Sequence, residues 1–315
     1  MALPASLFVR VGRMSAHLPS FRGRTRGFLI LYNLLRLGRE HILVEAKLRK
    51  PTPYLAVLDL HSWLQRLAFL TGAYEEDTVD FLHRLHGSVG SRGYVLDVGA
   101  NIGLISVPLA LLLVHERSLQ EPCVVAIEAV PDNAASLRKN VKLNSLENSI
   151  QVLEMAVGDT EKDIDIQVEG DLAAGEGTGT ANILPDGSKY ECSRQTLRLT
   201  TLDSLLGSGR LPPGCSVIKI DADGYDLKVL QGARELIDRD RPVVYGEFSS
   251  HCMAWHGQSL EDILSFARGR NYVAWLRRSN SWEFSPAETS AGFVQDLLLV
   301  PCEKVALFDW CRKAA

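Results

Sequence analysis

The ten residues Tyr94-Val-Leu-Asp-Val-Gly-Ala-Asn-Ile-Gly103 constrain the fold more than any other stretch of the chain. Tyr94–Val98 is short, apolar and rich in β-branched side chains, and it lies between Gly93 and Gly99. That is the pattern of a strand buried on both faces of a parallel sheet. Gly99 turns the chain, and Leu104, Ile105, Val107, Pro108, Leu109, Ala110 and Leu111 to Leu113 predict an apolar helix packed on that sheet. A strand-to-helix turn of this kind is a ligand position in open α/β sheets. A bare turn would account for Gly99 and Gly103 but not for Asp97 and Asn101.

A dinucleotide fingerprint requires G-x-G-x-x-G, with the pyrophosphate on the helix N-terminus. The spacing here is Gly99-x-x-x-Gly103, so that reading fails. The pattern Asp-x-Gly-x-Asn-x-Gly instead resembles the first motif of class I S-adenosylmethionine (SAM) dependent methyltransferases. Asn101 stands where a second glycine is usual, and Asn tolerates the left-handed conformation better than most residues. Glycines let the backbone approach the amino-acid end of SAM, and Asp97 can orient donors around it.

The stretches that follow repeat the logic of a strand delivering a polar group to one edge. Cys123–Ile127 reads as a strand ending in Glu128, a carboxylate placed to accept hydrogen bonds from both ribose hydroxyls. Pro131 suits the first turn of the next helix. Gln151–Ala156 forms the next strand, and an adenine ring is expected against Ala156 and Val157. Ile164, Ile166 and Val168 alternate with polar residues as in a strand with one solvated face. The glycine-rich segment 170–188 is read as a mobile loop, either of the kind that closes over active sites or a solvent loop without function. Thr196–Thr200 is a strand and Thr201–Leu206 a short helix.

Val217–Asp221 is the second informative strand, followed by Asp223, Asp226 and a helix over Leu227–Ile237. Lys219 lies inside it, and a buried ammonium requires a partner, for which Asp221 and Glu247 are the candidates. Pro242–Tyr245 leads to Glu247 and His251. Ser259–Arg268 is a helix, and Tyr272–Leu276 and Phe293–Val300 are strands. Upstream, Leu58–Leu70 and Glu76–His86 read as helices, with Tyr74 and Glu75 between them either a substrate-side lid or, the reading the sequence favours, a plain helix start.

Composition narrows the function. Residues 1–50 carry ten Lys or Arg against two acids, so with a net charge of -4 the remaining 265 residues sum to -12. An acidic body argues against a nucleic-acid substrate held by its phosphates, and no DNA partner is expected. The six cysteines form no C-x-x-C pair, which disfavours a zinc ribbon or dithiol site. No apolar run is long enough to span a membrane, and a cytoplasmic location is expected. Residues 1–50 predict one or two helices packed on the body. Their other reading is an amphipathic contact with a membrane surface or an acidic partner, and their Arg-rich, acid-poor start also resembles a targeting peptide.

Taken together, Asp97-Val-Gly-Ala-Asn-Ile-Gly103, Glu128 with Pro131, Asn140 with Asn144, Ala156-Val-Gly-Asp159, Thr201-Leu-Asp203 and Lys219-Ile-Asp-Ala-Asp-Gly224 resemble the FkbM family of SAM-dependent methyltransferases. The resemblance covers residues 58–301. It implies an α/β fold: a Rossmann-like, seven-stranded, mostly parallel sheet with helices on both faces and a reversed last strand, here with an N-terminal helical extension. The expected division is an extension over 1–57, a methyltransferase domain over 58–301 and a helical tail over 302–315. The implied reaction is methyl transfer to oxygen, often on a sugar, glycan or other small molecule. This chain has Asp223 and Asp226 where the family usually has Glu, and Ile127-Glu-Ala129 where it usually has Phe-Glu-Pro.

SAM would then be bound by Asp97, Gly99, Asn101, Gly103, Glu128, Ala156, Val157 and Asp221. Because the sulfonium is already an activated methyl donor, the protein must hold the acceptor in line and handle one proton. Asp221 is the first candidate for that base, with Glu247 and His251 next and Lys219 beside them. A Mg²⁺ held by Asp221 and Glu247 would lower the pKa of the acceptor hydroxyl. Methylation of adenine or cytosine amino groups is disfavoured, because Asp221-Ala-Asp-Gly224 replaces the Asn/Asp-Pro-Pro-Tyr type of loop. The rival classes are a SAM enzyme acting on protein or RNA and a non-catalytic SAM-binding scaffold.

Overall fold

The computed structural model describes residues 3–15, 24–34, 41–90, 93–114, 122–168, 181–183, 194–277, 282–287 and 294–312. In chain order the elements begin with α1 (Leu3–Ser15), α2 (Arg24–Leu34), β1 (Leu43–Leu48), β2 (Tyr54–Asp59), α3 (Trp63–Thr71) and α4 (Glu76–Ser88). The sheet then starts with β3 (Tyr94–Val98), α5 (Ser106–Val114), β4 (Val124–Glu128), α6 (Pro131–Leu143) and β5 (Ile150–Glu154). A side branch follows, with β6 (Ala156–Val157), β7 (Lys162–Val168), β8 (Ala181–Ile183), β9 (Arg194–Thr200) and α7 (Leu202–Gly207). The second half is β10 (Cys215–Ile220), α8 (Asp226–Gln231), α9 (Arg234–Asp240), β11 (Val243–Ser249), α10 (Ser250–Trp255), α11 (Leu260–Gly269), β12 (Tyr272–Arg277), β13 (Phe284–Pro286), β14 (Val294–Pro301) and a 3-10 segment over Cys302–Cys311.

The main sheet runs β13-β12-β14-β11-β10-β3-β4-β5. Pairs from β11 through β5 are parallel, and β14 is antiparallel to both β11 and β12, so the last strand is reversed as expected. The eighth strand, β13, is a three-residue addition on the edge of the seven. Strand alternation splits the core. Val95, Val124, Ala126 and Val217 face one apolar layer with α1 and α3 to α6. Leu96, Val98, Val125, Ile218 and Ile220 face the other with α7 to α9 and α11. Two buried faces explain why these strands read as near-continuous apolar runs.

Three local expectations change. Ile42, Leu43 and Val44 belong to a hairpin, β1 with β2, rather than to a helix, and Pro51 and Pro53 sit between its strands. The exposure of β1 alternates residue by residue, a period of two that the helical reading missed. Leu58 and Asp59, expected to open a helix over Leu58–Leu70, instead close β2, and the helix begins at Trp63 as α3. The helix expected over Leu227–Ile237 is broken into α8 and α9 at Gly232, where a Cβ would lie 1.8 Å from the Gly158 carbonyl oxygen. The chain restarts as α9 when Asp203 accepts from the amides of Glu235 (3.1 Å) and Leu236 (3.0 Å). The glycine-rich segment 170–188 lies outside the described residues, apart from β8. Among the described residues no helix is long and apolar enough to cross a membrane.

Asn140 and Asn144 attach β2 to α6 and to the glycine loop. Asn140 accepts from the Val57 amide at 2.7 Å and donates to the Ile102 carbonyl at 2.9 Å. Asn144 accepts from the Leu55 amide at 2.9 Å and donates to the Leu55 carbonyl at 2.7 Å. Their amides replace a neighbouring strand for the outer edge of β2, whose backbone groups need partners. Replacing the buried Asn140 by Ala strands one amide and one carbonyl, and is expected to lower stability by about 2–3 kcal/mol in urea unfolding with the secondary structure unchanged by circular dichroism.

Candidate active site

Strand β3 stops at Val98 because the next residue must turn away under a neighbouring strand. Gly99 has φ 77°, and a Cβ there would lie 1.9 Å from the Asp221 carbonyl oxygen. The amides of Gly99 and Ala100 both donate to the Ile127 carbonyl at 3.0 Å, tying the loop to the end of β4. Asn101 takes the left-handed conformation expected of it, with φ 50°. Its side-chain oxygen accepts from the Ile102 amide at 2.8 Å. The loop forms one wall of a cavity at the carboxyl edge of the sheet, whose lining includes Gly99, Asn101, Glu128, Ala156, Val157, Lys219 and Asp221.

Glu128 closes one end. Its Oε2 accepts from the Asn101 amide at 2.8 Å and its Oε1 from the Val130 amide at 2.9 Å. Burial pushes its carboxyl up, while these hydrogen bonds work in the opposite direction. The carboxylate is thereby held rigidly, with acceptor capacity left on Oε2. Beside it Met155, Ala156, Val157 and Ile166 supply an apolar wall suited to an aromatic ring.

Parallel register places Lys219 directly across from Asp97. Their charged atoms are 3.2 Å apart, with the side chains 7% and 1% exposed. Ser106 donates to the other Asp97 oxygen at 2.5 Å, and the Lys219 ammonium also reaches the Gly99 carbonyl at 3.3 Å and Asp221 Oδ2 at 3.5 Å. Burial pulls the Lys219 pKa down, but the carboxylates of Asp97, Asp221 and Glu75 outweigh it and leave the ammonium above its ordinary value. Asp97 therefore stands behind the loop, and Gly103 packs against Leu137; the cavity wall includes neither.

The other end of the cavity is acidic. Asp221 is about half exposed, and Glu247 on β11 is accessible and in register with Asp296. Partial desolvation, followed by the charges of Asp221, Asp296 and Glu75, pushes the Glu247 carboxyl up to about 7. Asp226 accepts from the amides of Ala222 (2.9 Å) and Gly224 (3.0 Å), so it shapes the loop after β10. Neither Glu247 nor His251 lines the cavity, and His251 is exposed on α10 with its ring 5.1 Å from that of Trp255. Among the described residues no group of three or more His, Cys, Asp or Glu is arranged to hold a metal ion. Asp221 is instead drawn to the Lys219 ammonium, so Asp221 and Glu247 do not make a convincing Mg²⁺ donor set.

Tyr74 and Glu75, assigned to a helix start, line the cavity, as do Ser62 and Gln65. Glu75 begins α4 in the left-handed conformation, with φ 40° and no side-chain capping bond. Glu75 is solvent-accessible, yet the surrounding protein desolvates it enough to raise its carboxyl. The sequence signal was the pair Glu75-Glu76, two adjacent acids where the helix start calls for one.

The FkbM methyltransferase domain family matches residues 97–274. Among curated proteins none matches the chain. A methyltransferase FkbM from Methylobacillus flagellatus KT is 14% identical, with 92% of this chain and 58% of that one covered and a TM-score of 0.40. The chain thus spans less than two thirds of that relative. M. jannaschii TYW2 in complex with AdoMet is 17% identical over 82% of this chain and 85% of that one, with a TM-score of 0.38. The magnesium protoporphyrin IX methyltransferase of Synechocystis PCC 6803 with bound SAM is 13% identical over 76% and 83%, with a TM-score of 0.38.

Removing one partner of the Asp97–Lys219 pair leaves a charge stranded in the sheet. Lys219→Met is expected to cost about 3–5 kcal/mol in urea unfolding, and Lys219→Met combined with Asp97→Asn to cost less than Lys219→Met alone, since the second change removes the orphaned charge.

Proposed function

The chain belongs to the FkbM family of SAM-dependent methyltransferases, and on that premise we propose that it methylates a hydroxyl group of a sugar, glycan or other polyhydroxylated small molecule. The observation that carries this reading is the polarity of the cavity: a fixed carboxylate, Glu128, and an apolar wall at one end, and carboxylates at the other. The first end suits a nucleoside. At the second, Glu75, Asp221 and Asp223 line the wall, and with Glu247 and Asp296 beyond it they repel phosphates and favour an uncharged, hydroxyl-rich acceptor. In the same proposal the methyltransferase domain spans residues 58–301, between the extension over 1–57 and the tail over 302–315.

When bound, SAM supplies a methyl group already activated on a sulfonium. Asp221, at the cavity wall, orients the acceptor hydroxyl. The proton of that hydroxyl would pass to Glu247, which stands on the neighbouring strand just outside the cavity lining, with Asp221 among its charged neighbours. A carboxyl titrating near pH 7 is matched to that task.

Residues 1–50 support a second contact. No acid occurs before Glu40, while Arg10, Arg13 and Arg26 are exposed beside Leu7, Met14, Ile30 and Leu34, the last 75% exposed. The opposite sides of these helices are anchored, with Phe8 and Tyr32 buried and Arg66 over the Tyr32 ring at 4.0 Å. An outward face of arginine and aliphatic side chains suits an anionic lipid surface.

Two measurements test these readings. Transfer of labelled methyl from SAM to hydroxylated small molecules is expected, with kcat/KM rising as pH increases and levelling off above about 7. Below that pH Glu247 is protonated and cannot accept. Glu247→Gln is expected to lower the rate by about 10²-fold or more and to remove the pH dependence, and methyl transfer only to protein or RNA, or SAM binding without turnover, would overturn the reading. In vesicle flotation, binding to phosphatidylcholine containing phosphatidylglycerol but not to phosphatidylcholine alone is expected, with loss on Ile30→Asp with Leu34→Asp; equal binding to both vesicles overturns the lipid contact.

A further inference from the structure

The donor's amino-acid end carries an α-ammonium, which in a partly desolvated cavity needs an anionic partner. The first-motif carboxylate expected to organise this end is Asp97, but Asp97 is sealed behind the glycine loop on Lys219 and Ser106. The Gly99 carbonyl is also occupied, accepting from Lys219 at 3.3 Å. Of the other acids on the cavity wall, Glu128 is held by backbone amides at the nucleoside end, Asp221 faces the Lys219 ammonium, and Asp223, in the loop after β10, has interactions of its own.

Glu75 is in a different position. It lines the cavity from the turn before α4, and the neutral hydroxyls of Tyr74 and Thr78 are near enough to favour its charged form. Among the described residues it makes no direct ion pair. Lys219 and Asp221 are its main charged neighbours. Its backbone is left-handed at φ 40°, an uncommon state for a residue with a long side chain, and the side chain gains no capping bond by it.

Building on the SAM reading above, we propose that Glu75 is the counter-ion of the donor's α-ammonium, and that Tyr74 and Thr78 position its carboxylate for that contact. The site accordingly selects ligands that join a nucleoside to a free amino-acid end. Glu75 binds and positions the donor; the proton of the acceptor goes elsewhere, to Glu247. An ammonium beside it also reverses the effect of burial, which raises the Glu75 carboxyl above its ordinary value of 4.5. Donor binding therefore releases protons, and affinity falls as pH drops through that raised pKa.

Calorimetry with two probes separates the possibilities: S-adenosylhomocysteine, which keeps the amino-acid end, and methylthioadenosine, which lacks it. Glu75→Gln, which preserves shape and hydrogen bonding, is expected to weaken S-adenosylhomocysteine by about tenfold or more while leaving methylthioadenosine nearly unchanged. The pH dependence of S-adenosylhomocysteine affinity in the acid range is expected to flatten in the variant. Equal weakening of both probes would overturn the proposal, because a contact with the ammonium cannot affect the shorter ligand. Unaltered binding of both would overturn it as well, leaving the wild-type donor site intact. If the folded wild-type protein binds neither probe, the donor reading of the cavity fails and this inference with it.

Discussion

A buried ion pair underlies the architecture of the site. Asp97 and Lys219 face each other across adjacent parallel strands, almost without exposure, and each has a further bond: Ser106 to Asp97, and Lys219 to the Gly99 carbonyl. Such a pair contributes little net stability compared with well-packed apolar side chains, because both charges have been taken out of water. What it contributes here is position. The ammonium reaches the glycine loop and Asp221 from beneath, so the ends of β3 and β10 are held as one unit at the floor of the cavity.

The period of a strand carries that arrangement outward. Asp97, Lys219, Asp221 and Glu247 occupy alternate positions on neighbouring strands and lie on the face that packs against α3 to α6. The turn before α4 opens onto the same face, which is why Tyr74 and Glu75 meet residues more than a hundred positions away. Charges of one sign then accumulate around a single ammonium, and the consequence is visible in Glu247, driven to about 7. The two ends of the cavity differ in kind: at Glu128 backbone amides hold an anion in place, while at the far end carboxylates compete for too few cations.

The stretches with a single physical reading were legible in the sequence. Tyr94–Val98 has only one reasonable reading, since an apolar β-branched run between glycines cannot be an amphipathic helix, and the strand has those limits. Asn101 was placed in the left-handed region on its side chain alone. The hairpin of β1 and β2 was missed because its alternation is short and follows a helical, arginine-rich segment. The two asparagines of α6 were legible as a family mark, but their task of holding the edge of β2 depends on a strand brought there by the fold.

What the amino-acid order determined by itself was local: where strands end in glycine or carboxylate, and hence that a nucleoside-type ligand site lies at the carboxyl edge of an α/β sheet. Tertiary structure decided which of those carboxylates reach the cavity. Asp97 and Glu75 have the same charge, yet register seals one beneath the loop and a helix start delivers the other to the cavity wall. Burial, register and the distance to another charge are properties of the folded chain, and a carboxylate's role follows from them rather than from its place in the sequence.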